Sequence, residues 1–273
     1  MAIAAYEKQY NDRLRVPEHA KIQAEWKQQA EEYRNTHTCE LDISYGPSER
    51  NKYDFFPPEN ITDDTPMALF IHGGYWQSRD RKMFSHAAKG LNARGVSVVI
   101  PSYDLCPDTS IPKIISQMRK CAAHIWTQYN KKPVVFGHSA GGHLAACLVS
   151  TDWTLHKGLP EDLITKGCAL GGIFDLAPLR GTTKNDALKL SKEDARLASP
   201  IFRPVAKSAQ RFIAVTGELE SHEFHRQAAA LAKFWNAQGV ETETVEIAGA
   251  NHFTVLNEML DPDSPLLQKI LEE

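Results

Sequence analysis

Short apolar runs alternate along this chain with longer stretches in which apolar residues recur every three or four positions. Residues 67–71, 96–100, 132–136, 168–173, 211–216 and 242–247 have strand length and are apolar or β-branched. Between them, 79–94 reads as a helix closed by Gly95. Ile111, Ile114, Ile115, Met118, Ala122 and Ile125 trace the apolar face of a long helix, and 223–238 reads as a helix ending at Gly239. Strands alternating with helices predict a mostly parallel sheet covered on both faces, with the working site at the carboxyl ends of the strands.

The two ends of the pattern differ from its middle. Residues 1–38 read as helical: Pro17 and Glu18 suit a helix start, and Ile22, Trp26, Ala30 and Tyr33 share one face. The expectation is a segment packed outside the domain, with a partial lid over the site as the less favoured reading. Runs 41–45 and 52–56, separated by Gly46-Pro47-Ser48, predict an antiparallel hairpin. Residues 175–204 are polar, with short helical pieces such as 191–197, and read as a small cap or a long loop above the sheet. A final helix is expected to close the chain. Residues 1–273 are expected to form a single domain.

Composition narrows the function. The chain is 42% hydrophobic and 24% charged with a net charge of −3, which is ordinary for a globular protein. No Lys/Arg cluster interleaved with aromatics offers a surface for nucleic acid, and no run is long enough to span a membrane. The first residues turn charged at Glu7, too soon for a secretory leader. Five cysteines (Cys39, Cys106, Cys121, Cys147, Cys168) are scattered, with no Cys-x-x-Cys, so a reducing cytoplasmic location is expected. No glycine-rich dinucleotide fingerprint is present, and no cofactor is expected. His222 and His225 lack the i, i+4 spacing of a zinc helix, and His138 and His143 have no acidic partner in sequence, so no metal is expected. A homodimer is compatible with the sequence.

The chemistry concentrates at Gly137-His138-Ser139-Ala140-Gly141. A Gly-x-Ser-x-Gly arises by chance in about one chain in ten of this length. Here it lies between a β-branched run and the apolar helix pattern that begins at Gly142. That context is a nucleophile elbow, a turn so tight that bulk is excluded two residues either side of the serine. A serine hydroxyl needs a base, and His252, in the loop after the last expected strand, stands where this fold supplies it. The acid is expected after run 211–216, with Glu220 first, Glu218 second and Asp175 third. The tetrahedral oxyanion needs backbone N–H donors: Ala140, following the serine, and Gly73 and Gly74, in the loop after run 67–71.

His72-Gly73-Gly74-Tyr75-Trp76, taken with Gly137 to Leu144, resembles the kynurenine formamidase (arylformamidase) branch of the α/β-hydrolases, a branch related to the hormone-sensitive-lipase-like esterases. The likeness extends to Gly172-Ile173-Phe174-Asp175-Leu176, to Glu220 through Gln227 and to Asn251-His252-Phe253, covering about residues 67–253. It implies an α/β-hydrolase fold and a serine hydrolase that removes a small acyl group from an aromatic amide or ester, of the N-formylkynurenine type. A short-chain carboxylesterase is the alternative, and a non-catalytic receptor on the same fold the outsider. The resemblance also supports Glu220 as the acid. Animal kynurenine formamidases carry Asp there, one methylene shorter. Tyr75, Trp76, Phe174 and Phe253 are the candidates to bind the aromatic ring.

Overall fold

A computed structural model of the chain describes residues 2–271. Helices α1 (Ala2–Tyr10), α2 (Asp12–Arg15) and α3 (His19–Thr36) precede the strand pair β1 (Glu40–Ser44) and β2 (Lys52–Phe56). Then follow β3 (Met67–Ile71), α4 (Lys89–Ala93), β4 (Ser97–Pro101), α5 (Ile111–Tyr129), β5 (Val134–His138), α6 (Ala140–Val149) and β6 (Lys166–Leu170). The short helices α7 (Asn185–Leu188) and α8 (Lys192–Ala198) come next, and β7 (Arg211–Gly217), α9 (His222–Asn236), β8 (Glu241–Ile247) and α10 (Pro265–Leu271) complete the order.

The eight strands form one sheet in the order β1-β2-β4-β3-β5-β6-β7-β8. Pairs β1–β2 and β2–β4 are antiparallel, and every pair from β4 to β8 is parallel. Successive strand residues feed opposite faces, as the pleat requires. Leu69, Ile71, Val99 and Val135 join the core under α5, α6 and α9, whereas Ala68, Phe70, Val98 and Phe136 join the one under α3, α4 and α10. This is the α/β-hydrolase fold.

Most of the expected elements appear within two or three residues of their expected bounds. The N-terminal helix buries Trp26, Ala30 and Tyr33, three of the four residues assigned to its inner face. The helix expected over 79–94 is corrected. The chain instead makes two 3₁₀ turns (Arg81–Met83 and Ser85–Ala88) and only the short α4. Long-range bonds fix its start: the Arg81 N–H donates to Ser102 Oγ, and Arg81 Nε to Asp54 Oδ1 at 2.8 Å. The polar excursion is a set of short turns and helices, with Ser191 capping α8 by accepting from Asp194 N–H. It meets the N-terminal segment, where the Glu7 carboxylate accepts from both the N–H and the hydroxyl of Thr183 at 2.8 Å.

Candidate active site

Ser139 sits between the carboxyl end of β5 and the first turn of α6, with φ 57° and ψ −118°. A side chain rarely adopts that region, and it persists only where the surroundings enforce it. They do so here through close packing. A Cβ on Gly141 would lie 1.9 Å from Ile71 O, and one on Gly137 2.1 Å from Gly141 O. Neither position accepts any other residue. The turn is further held by Ser139 N–H donating to Leu170 O at 2.8 Å.

The loops after β7 and β8 bring two more groups to this point. His252 Nε2 is 3.0 Å from Ser139 Oγ, and His252 Nδ1 is 2.5 Å from Glu220 Oε1. The other Glu220 oxygen accepts from Gly217 N–H at 2.9 Å. All three side chains are buried. Glu218, the second choice for the acid, points to solvent and accepts from Gly249 N–H, while Asp175 bonds to Ala177 N–H. Neither touches His252.

The loop after β3 lies directly over the serine. A Cβ on Gly73 would fall 2.9 Å from Ser139 Cβ, so the backbone there approaches as closely as it can. Gly74, Tyr75, Trp76 and Arg79 all have positive φ, which turns this loop sharply. His72 is clamped beneath it, stacked on Tyr103 with centroids 4.4 Å apart and bonded through Nδ1 to Gly73 O at 2.8 Å. The Ala140 N–H opens α6, where helix geometry leaves it without an intrahelical acceptor and the helix dipole favours negative charge.

His138 is a residue whose use sequence reasoning missed. Its Nε2 lies 2.7 Å from His252 O. Burial, helped by the neighbouring His252, holds its pKa well below the ordinary histidine value, so the ring is neutral. With a carbonyl as partner, Nε2 must carry the hydrogen, and His138 thus anchors the backbone of His252. His143 likewise bonds Ala198 O at 2.7 Å, tying α6 to the excursion. Among the described residues no group of His, Cys, Asp or Glu is arranged to hold a metal ion.

The cavity beside Ser139 and His252 differs from the aromatic pocket expected. Tyr75 and Phe253 line it. Trp76 and Phe174 do not: Trp76 is fully buried and edge-on to His143, and Phe174 is buried against Phe212. In their place stand Arg13, Arg79 and Lys184, together with the carboxylate of Asp12. Asp12 is 6% exposed. Its Oδ2 lies 3.4 Å from His252 Nε2 and 3.0 Å from the Tyr75 hydroxyl, whose one hydrogen it shares with Tyr10 O at 2.5 Å. Nothing in the polar run around Asp12 marks it as a site residue, since only the path of α1 and α2 over the sheet brings it there.

Burial pulls the pKa of His252 down, but the Asp12 and Glu220 carboxylates more than reverse this, leaving it above the ordinary histidine value. Burial likewise raises the pKa of Asp12, in opposition to the favourable charge of His252.

Comparison with known proteins places the chain in a family. A family model described as BD-FAE matches residues 53–162. The kynurenine formamidase of Salmo salar is 31% identical over 240 residues, 85% of this chain and 81% of that protein. That of Danio rerio is 32% identical over 238 residues, 85% of this chain and 80% of that protein. The chain belongs to the kynurenine formamidase family. A Silicibacter sp. tm1040 protein of known crystal structure superposes on this family member with a TM-score of 0.87 at 29% identity, covering 97% of this chain and 98% of that one. Membership makes it a hydrolase of the α/β-hydrolase type. No helix among its described residues is long and apolar enough to cross a membrane.

Proposed function

We propose that the protein hydrolyses N-formyl aryl amides, such as N-formylkynurenine, through an acyl-enzyme. The observation that carries this is the chain of contacts from Ser139 Oγ to His252 Nε2 (3.0 Å) and from His252 Nδ1 to Glu220 Oε1 (2.5 Å). It lies in a chain 31% identical over 240 residues to one kynurenine formamidase and 32% identical over 238 residues to another. Ser139 attacks the formyl carbon while His252 takes its proton. Glu220 fixes the imidazole with Nδ1 protonated and stabilises the imidazolium. Gly73, Gly74 and Ala140 supply N–H groups toward the oxyanion. His252 returns the proton to the leaving nitrogen, and water, activated in the same way, releases formate. Tyr75 and Phe253 flank the bound ring. A cytoplasmic location fits the five free cysteines.

The test is turnover of N-formyl-L-kynurenine beside a short p-nitrophenyl ester, each with a Ser139→Ala control. Loss of turnover and of fluorophosphonate labelling in Ser139→Ala, with the formamide preferred, is the expected result. Ester turnover with negligible formamide turnover would make the protein a short-chain carboxylesterase. Turnover surviving in Ser139→Ala would remove the mechanism.

A further inference from the structure

His252 has a carboxylate at each ring nitrogen: Glu220 at Nδ1 and Asp12 at Nε2. The first already fixes the tautomer and steadies the positive charge. The second, at 3.4 Å, stands on the side of the ring that must exchange a proton with Ser139 and the leaving group. It competes with Ser139 Oγ for Nε2 and favours the imidazolium, which cannot act as a base. For an esterase this carboxylate is a liability. It is nonetheless buried, 3.0 Å from the Tyr75 hydroxyl, and it lines the cavity beside Ser139.

We infer that Asp12 accepts a hydrogen bond from the scissile N–H and so selects amides over esters at this site. The inference rests on the serine mechanism proposed above. The leaving atom must come within hydrogen-bond reach of Nε2 to receive its proton, which places it next to Asp12 Oδ2 as well. An amide nitrogen presents a hydrogen to that oxygen. An ester oxygen presents lone pairs and is repelled. The contact also strengthens as the reaction proceeds. The amide nitrogen must pyramidalise and turn its lone pair toward His252, and an acceptor holding N–H away from the imidazole favours that geometry.

Asp12 exchanges no proton. The bond from Ser139 Oγ to carbon forms as its proton passes to Nε2. The C–N bond breaks as that proton passes to nitrogen, and the neutral arylamine departs, its original N–H still directed at Asp12. Three cations, Arg13, Arg79 and Lys184, line the same cavity, and among the described residues none of them forms an ion pair. The charges of Arg79 and Lys184 act on Asp12 and favour its ionised form against the burial that opposes it.

The experiment compares formanilide with phenyl formate, which share acyl group and ring and differ in the leaving atom. It is run with full-length protein on the alkaline plateau, where His252 is neutral in every variant, and corrected with Ser139→Ala. In Asp12→Ala the ratio of kcat/KM for formanilide to that for phenyl formate should fall about 10- to 100-fold, the cost of one hydrogen bond to a charged group, mainly through kcat. Tyr75→Phe, which removes the hydroxyl shared by Asp12 Oδ2 and Tyr10 O, should lower the same ratio by a smaller factor and serves if Asp12→Ala does not fold. Equal losses on both substrates would overturn the assignment while leaving the formamidase reading intact. A wild-type protein that cleaves only the ester would overturn both.

Discussion

His252 and its two carboxylates set the behaviour of the site at the scale of single residues. Because its pKa lies above the ordinary histidine value and only the neutral ring acts as base, activity should rise with pH through a limb above that value, about 6.5. In Asp12→Asn, with one of the charges that raises it removed, the limb should move to lower pH in a kcat/KM profile. A limb that stays in place would mean that Asp12 does not sense the imidazole. The two glutamates separate sharply. Glu220→Ala should cost on the order of 10²- to 10⁴-fold in kcat, whereas Glu218→Ala, which loses only an exposed bond to Gly249, should stay within about threefold. The reverse order would exchange their roles. Ser139, His252 and both glutamates were legible in the sequence because each lies at a fixed offset from a recognisable strand. Asp12 was not, because its place beside His252 depends on where α2 lands, which no local pattern encodes.

At the scale of elements, the loop after β3 owes its shape to a buried ion pair. Arg81 reaches Asp54 on β2 at 2.8 Å, with side-chain exposures of 7% and 1%, and also bonds Ser102. Arg81→Ala would leave Asp54 buried without a counter-charge. We expect a loss of about 3–5 kcal/mol in denaturant unfolding, with Asp54→Ala similar. A loss below about 1 kcal/mol would show that the pair contributes little. This pair also explains why 79–94 reads as a helix yet folds as turns. Helical spacing is present, but Arg81 is held by Asp54 on β2 and by Ser102 just after β4. The strands were legible for the opposite reason: apolar on both faces, they announce a covered parallel sheet without reference to any partner. The aromatic pocket failed on burial. Trp76 and Phe174 follow the right strands, but both side chains turn into the core under the sheet.

The whole molecule divides into a hydrolase core and a roof made of two distant stretches of chain. Residues of α1 and α2 cross the site and meet the excursion near Thr183, joined by Glu7. They are also tied to α9, where Tyr10 Oη donates to Glu223 at 2.7 Å. Within α2, Arg13, Leu14 and Arg15 are exposed, so brief trypsin treatment should cut first after Arg13 or Arg15. Formamide hydrolysis should then fall in step with loss of the N-terminal peptide, followed by mass spectrometry. Full formamide activity after complete cleavage would show that the roof is dispensable.

That roof carries Asp12, while Ser139, His252 and Glu220 all belong to loops of the sheet. On the roles proposed above, reactivity and choice of substrate would be held on separate stretches of sequence. A change in α2 would then alter the group that faces the leaving atom while leaving the contacts among Ser139, His252 and Glu220 in place.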